Sequence, residues 1–220
     1  MQKVFINKIK CGMSNCYLLT GDGGSVLIDA YGLLDALALY EKVKDENVRL
    51  IVLTHGHPDH IGAAGELAKR LSVSVAMCEQ DAELLENPAS RKLYAHTVRG
   101  KLLKLATKSI MGKGNGAPIR PDIWLRDGQS LAEYGINAKA VALPGHTQGS
   151  VGILTDDGSF FAGDAVFNIL RPSGSLVYEN RAQMEQSLGV ILRSGAKMLY
   201  PGHGKPFPIE KLTHPGDGHL

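Results

Sequence analysis

The sequence predicts an α/β fold, and three observations predict it. Short apolar runs of strand type recur along the chain, stretches with helical spacing stand between them, and several of the runs lead directly into a histidine or an acid. Strand-like runs at Val4–Ile9, Cys16–Thr20 and Val26–Ala30 surround the turn Gly21-Asp22-Gly23-Gly24. Leu34, Leu37, Ala38 and Glu41 lie at helical spacing and predict a helix over Leu33–Lys44. A strand at Arg49–Leu53 follows. Pro58 then suits the first turn of a helix, where its missing N–H is not needed. Ile61, Ala64, Leu67, Ala68 and Leu71 carry that helix to about Leu71, and the small residues Gly62, Ala63 and Gly65 would let it lie close to a sheet. Val73–Met77 is the next strand, followed by about thirty residues of helical pattern. Strands resume at Ile123, where Trp124 reads as core, and a helix over Arg181–Ser194 precedes the last strand, Lys197–Tyr200. Strands and helices thus alternate in two similar halves.

Composition bounds the function. A chain of 220 residues fits one large domain or two small ones and can bury a substantial core. The net charge of +2 implies no global attraction to nucleic acid, and none is expected as a partner. The start Met1-Gln2-Lys3-Val4-Phe5 lacks the features of a signal peptide, and no apolar stretch approaches a membrane span. Three cysteines, Cys11, Cys16 and Cys78, make no disulfide framework and are read as reduced thiols of a cytoplasmic protein. The oligomeric state is left open.

The chemistry is concentrated in Thr54-His55-Gly56-His57-Pro58-Asp59-His60, directly after the apolar run Leu50-Ile51-Val52-Leu53. Three imidazoles and a carboxylate at a strand end are donors that zinc and similar cations take in catalytic sites. Three later segments repeat the design of apolar strand, glycine and ligand-type residue: Leu143-Pro144-Gly145-His146, Phe160-Phe161-Ala162-Gly163-Asp164 and Tyr200-Pro201-Gly202-His203. Singly each is an ordinary turn signal; together with the first cluster they make seven candidate ligands at strand ends.

This motif set, in order along nearly the whole chain, resembles the metallo-β-lactamase superfamily of metal-dependent hydrolases. The resemblance implies a four-layer αββα sandwich over residues 1–220, with a basic, largely helical insertion at about 87–121. It implies that His55, His57 and His146 bind one metal, that Asp59, His60 and His203 bind a second, and that Asp164 bridges them. Two divalent ions are expected, zinc first, with iron or manganese as alternatives. Aspartate at 164 is similar to the thioesterases of the glyoxalase II type, the lactonases and related phosphodiesterases, whereas His57 argues against the flavodiiron branch. The implied reaction is hydrolysis of an ester-type bond, thioester or lactone first, by a metal-activated water. Asp59 would orient that water and relay a proton, or serve purely as a ligand. Asp29 resembles the family's supporting acid, and Thr54 and Thr147 flank ligands and could hydrogen-bond them. Phe167 and Tyr178 follow Asp164 on the expected substrate side, where either could touch substrate or simply pack. Persulfide dioxygenases, with one iron, share much of the motif set and stand as the alternative, as does a phosphodiesterase.

The segment from Asn87 to Pro121 holds eight basic residues and no acid. Leu93, Leu102, Leu103, Ala106 and Ile110 could form a buried helical stripe, and Gly112–Pro118 reads as a loop. The segment is either a lid that draws in a small, anionic substrate or an acidic partner, a helix for a membrane surface, or a solvated basic face. His96 reads as a surface or packing residue, and His214 and His219 fit no ligand pattern.

Overall fold

The chain's structure, a computed structural model, describes residues 4–12, 14–31, 36–111 and 119–212. A first sheet begins as an antiparallel meander of β1 (Phe5–Cys11), β2 (Ser14–Gly21) and β3 (Gly24–Ile28). It continues in parallel through β4 (Val48–Val52), β5 (Ser74–Met77) and β6 (Ile123–Trp124), in that spatial order. The parallel pairs require crossovers. Helix α1 (Ala36–Val43) makes the first, and α2 (Pro58–Ile61) with α3 (Ala64–Leu71) makes the second. Helices α4 (Ala82–Glu86) and α5 (Val98–Met111) lie between β5 and β6.

The second sheet contains β7 (Ala138–Ala142), β8 (Val151–Thr155) and β9 (Ser159–Asn168) as an antiparallel set, with the short β10 (Ser173–Gly174) on β9. Helix α6 (Arg181–Arg193) carries the chain back to β11 (Met198–Gly204), parallel to β9, and β12 (Phe207–Pro208) closes the edge. Asn180 caps α6, its side chain accepting a hydrogen bond from the Gln183 amide at 3.1 Å.

Strand alternation sorts neighbouring residues into separate layers. Leu18, Leu27, Ile51 and Val75 pack outward against Leu39, Val43 and Leu67 of the helices. Leu19, Val26, Leu50 and Val52 point the other way and meet Ala140, Ile153 and Phe161 of the second sheet. Phe160, Val166 and Leu199 turn to the far side, under Met184, Leu188 and Ile191 of α6. Both faces of both sheets are therefore covered, which is why the strands read as continuous apolar runs. Each fully buried aliphatic or aromatic side chain contributes about 1.5–3 kcal/mol. The result is the four-layer αββα sandwich. Among the described residues no helix is long and apolar enough to cross a membrane.

Several elements differ from expectation. The helix from Pro58 divides at Gly62–Ala63 because the strand end intrudes: the Ala30 amide donates to the His60 carbonyl, and the Ala63 amide donates to the Ala30 carbonyl, each at 2.8 Å. The long helical pattern after Met77 becomes α4 and α5, interrupted after Glu86 where Asn87-Pro88 cannot continue a helix. Asp164 and His203 lie inside β9 and β11, which run past them, with register shifts around Pro201. Trp124 is not core; it is 39% exposed on the two-residue edge strand β6. Leu102 is not part of a buried stripe, being 63% exposed. Gly100 faces the protein instead: a Cβ there would strike the Leu176 carbonyl. The start of the expected first helix at Leu33, the Gly112–Pro118 loop, His214 and His219 lie outside the described residues, as do the side chains of Cys11, Ala106 and Ile110.

Candidate metal centre

The centre is built from Asp29 outward. This residue ends β3 with a left-handed backbone, φ 60°, unusual away from glycine and better tolerated by aspartate than by most residues. One carboxylate oxygen, Oδ1, accepts the Thr54 amide at 2.8 Å; Oδ2 accepts the Thr54 hydroxyl at 2.9 Å and lies 2.7 Å from His60 Nδ1. The turn after β4 and the ring of His60 are thereby fixed together. Since the Thr54 hydroxyl gives its hydrogen to Asp29, it accepts from His55 Nδ1 at 3.1 Å. This leaves Nε2 of both His55 and His60 facing the interior as the ring atom that can coordinate a cation. His146 is oriented the same way: its Nδ1 donates to the Val177 carbonyl at 2.7 Å, and its Nε2 lies 2.9 Å from His57 Nδ1.

The remaining donors close the cluster. Asp59 Oδ2 is 3.3 Å from His203 Nε2 and accepts from the Ser14 hydroxyl, also at 3.3 Å. Asp164 places Oδ1 3.4 Å from His60 Nε2, and Oδ2 3.4 Å from His203 Nε2 and 3.6 Å from His146 Nε2. A Cβ at Gly202 would run into this carboxylate, so the approach needs glycine. The strand carrying His203 is held by Asn15 and Tyr17, which donate to the Pro201 carbonyl at 2.9 Å and 2.7 Å.

Three overlapping groups offer ligand atoms within 4.8 Å of one another: His55, His57 and His146; His55, His60 and Asp164; and Asp59, His60 and His203. The donor set fits cations. Among the described residues His55 Nε2 and Asp164 Oδ1 are buried without a hydrogen-bond partner, which a folded protein tolerates poorly unless something else fills the role. Electrostatics agree. Burial, with His146 beside it, pushes His57 down to about 3, so it stands as neutral imidazole. Burial also pushes His55 well below the usual histidine range. Burial alone would lower His60, but Asp164, Asp29 and Asp59 together raise it to about 9; Asp164 and Asp59 likewise raise His203 against its burial. The two carboxylates fall well below the ordinary range despite burial, through these same histidines. Protons thus hold the places of cations.

Loading metal must expel those protons from His60 and His203, because a coordinating imidazole is neutral. Metal affinity is therefore expected to rise with pH up to about 9, where His60 loses its proton unaided. Calorimetric titration of ion-free protein at neutral pH, repeated in buffers of different ionisation enthalpy, should show net proton release. Heats independent of the buffer would contradict this reading.

A model of the metallo-beta-lactamase superfamily matches residues 9–203. The chain belongs to the metallo-β-lactamase superfamily. It is 30% identical to the hydroxyacylglutathione hydrolase GloC of Haemophilus influenzae over 158 residues, covering 70% of this chain and 66% of that protein. It is 24% identical to the β-lactamase-like protein 2 homolog of Drosophila melanogaster over 216 residues, covering 91% of this chain and 62% of that one. The chain thus spans a little under two thirds of the length of these curated relatives. Among solved structures, TTHA1623 in a di-iron-bound form superposes with a TM-score of 0.70 at 25% identity, covering 94% of this chain and 95% of that one.

Around the metallo-β-lactamase donor set the structure adds residues that sequence reasoning missed. Asp81, fully buried after β5, accepts from the Gly56 amide at 2.9 Å, the Thr147 hydroxyl at 2.7 Å and the Gly149 amide at 2.8 Å. It thereby clamps the loop between His55 and His57 to the loop after His146. A Cβ at Gly149 would stand 2.6 Å from the Asp81 carboxyl carbon. Arg91 closes the network, 3.2 Å from Asp81 and 3.1 Å from Glu179, which in turn accepts the Gln148 amide at 2.9 Å. Thr147 therefore serves the loop, its hydroxyl bonding Asp81 at 2.7 Å and the Ser150 hydroxyl at 2.8 Å rather than a ligand imidazole. Phe167 stacks on His203, centroids 5.4 Å apart and planes 7° from parallel. Tyr178 is buried under α6, its hydroxyl 2.8 Å from Nδ1 of the exposed His96.

Proposed function

We propose that the protein is a dinuclear metal-dependent hydrolase that cleaves a thioester. The observation that carries this is the placement of the Asp164 carboxylate between the two histidine groups, one oxygen toward His60 and the other toward His146 and His203. A single ion would leave half of these donors unused. The Haemophilus relative, named a hydroxyacylglutathione hydrolase, supports thioester cleavage, and the di-iron form of TTHA1623 supports two ions. His55, His57 and His146 would hold one ion, Asp59, His60 and His203 the other, and Asp164 both. Bound there, two divalent cations supply Lewis acidity and bring a water's pKa toward neutrality. We take zinc as the resident metal on donor chemistry, imidazole and carboxylate being suited to it.

The chain's own residues set the geometry. Asp29 and Thr54 fix the rings of His60 and His55, and the Val177 carbonyl fixes His146, so the donors need little reorganisation. Asp59, at one rim of the cluster beside Ser14, orients the attacking water and passes its proton to the leaving thiolate. Phe167 holds His203 by stacking, and Tyr178, buried in the core cluster with α6, packs rather than meets substrate. The cations of residues 87–121 other than Arg91, which is paired with Asp81 and Glu179, would attract an anionic thioester.

The test is a panel of an acyl-glutathione thioester, a lactone, a β-lactam and a phosphodiester on metal-replete protein. The thioester should give the highest kcat/KM. A phosphodiester or β-lactam turned over faster would overturn the assignment, as would oxygen uptake with a persulfide.

A further inference from the structure

The surface beside the metal centre carries an unusual combination. Along α5, Val98, Leu102 and Leu105 are 74%, 63% and 71% exposed, and their spacing of four and three places them in one stripe. Lys101 is exposed beside the stripe, the ammonium of Lys104 lies 5.9 Å from the Tyr94 ring centroid, and Tyr94 is itself half exposed. A second protrusion follows β9: Ile169 and Leu170 are exposed, Leu170 at 81%, and Arg171 next to them is exposed too. Lys205 stands beside it, its carbonyl accepting from the Asn168 side chain at 2.9 Å, and Lys8 donates to the Gly204 carbonyl at 2.6 Å. Lys8, Lys10 and Lys205 are close enough for Lys8 to be pushed down, by its burial first and then by the other two charges.

Both protrusions adjoin segments that hold or orient the ligands. Helix α5 lies against α2, which bears Asp59 and His60. Its stem is pinned by paired backbone bonds between Tyr94 and Tyr178, one residue beyond the Val177 carbonyl that orients His146. The other loop begins where Asn168 and Ile169 pack on Gly204, next to His203. Aliphatic side chains thus stand proud at the site's edge, each set with lysine or arginine near it, and residues 87–121 contain no acid.

We propose that α5 and the Ile169–Arg171 loop form a docking face for an anionic phospholipid surface, with the metal centre's rim turned toward it. A second copy of this chain would bring the same cations against these, and like charges repel. The stripe lies on a convex helix and a loop tip rather than in a groove, so a fluid apolar layer under anionic headgroups matches it without shape complementarity. Interfacial helices bind in this way, aliphatic groups entering the acyl boundary while lysine and arginine meet the headgroups. The inference does not depend on which bond the metal centre cleaves.

The test is co-sedimentation of the full chain with vesicles of phosphatidylcholine alone and of phosphatidylcholine mixed with phosphatidylglycerol. The protein should sediment with the mixed vesicles and be released by high salt. The double substitution Leu102→Ser with Leu105→Ser should lower the partition coefficient at least about tenfold. Because both side chains are exposed, its thermal unfolding should match wild type. Lys101→Glu with Arg171→Glu should weaken binding to the mixed vesicles only. Absence of sedimentation, equal binding to neutral vesicles, or binding indifferent to these substitutions would overturn the proposal. So would a wild-type dimer in light scattering that the leucine substitutions dissociate without any vesicle binding, which would give the face to a second copy.

Discussion

Replacing Asp164 with alanine is expected to reduce turnover at least about 10³-fold while leaving the fold in place. The loss follows from position: this carboxylate faces His60 with one oxygen and His146 and His203 with the other, so its removal takes a donor from both histidine groups at once. Metal-assisted stabilisation of the developing charge is worth several kcal/mol, and each 1.36 kcal/mol is about tenfold in rate. The fold should survive because Asp164 Oδ1 accepts no hydrogen bond and the surrounding layers are packed by Phe160, Phe161 and Val166. Two measurements check this: far-ultraviolet circular dichroism, which should be unchanged, and kcat with saturating metal. In the ion-free variant His60 should also titrate lower than about 9, because Asp164 heads the charges that raise it. Near wild-type turnover in Asp164→Ala would remove the basis for a shared, two-ion centre.

The second large effect is expected at a residue that touches no ligand side chain. Asp81→Ala removes the acceptor for the Gly56 and Gly149 amides and the Thr147 hydroxyl and leaves Arg91 with one fewer carboxylate. Breaking a buried ion pair that also satisfies backbone donors costs about 3–5 kcal/mol. For a chain of this size that lowers Tm by roughly 10 °C. Because the clamp sets the spacing of the His55–His57 loop against the His146 loop, metal affinity should fall by about 10–100-fold as well. Arg91→Ala should cost less, since Asp81 keeps its three other donors and Glu179 keeps the Gln148 amide. Thermal unfolding followed by metal titration checks both variants. A loss under about 1 kcal/mol for Asp81→Ala would show that the two loops hold themselves.

What the sequence disclosed and what it hid divide along one physical line. The cluster from His55 to His60 and the glycine-preceded His146, Asp164 and His203 are local patterns: the chain turns after β4 and β7 beside the histidines, and inside β9 and β11 Gly163 and Gly202 leave room for Thr54 and the Asp164 carboxylate. Asp29 was legible only through the family resemblance, since an acid at the close of an apolar run is ordinary by itself. Asp81 was not: its partners lie 25, 66 and 68 positions away, and an acid after a strand is otherwise ordinary. Arg91 read as one charge among eight in a basic segment, although it is anchored between two carboxylates. The break between α2 and α3 was hidden because it depends on Ala30, a residue just past β3 and distant in sequence. The orientation of α5 was ambiguous in principle. Apolar residues occur on both of its sides, and periodicity cannot tell which set is buried; the contact of Gly100 with the Leu176 carbonyl decides it.

The central claim is a two-ion centre bridged by Asp164, and the most direct measurement is metal stoichiometry. Protein purified without a histidine tag, saturated with zinc, manganese or iron and freed of excess ion, is analysed for bound metal. Wild type should hold two ions per chain and Asp164→Ala at most one. One tightly held ion in the saturated wild type, unchanged by loss of Asp164, would contradict that claim.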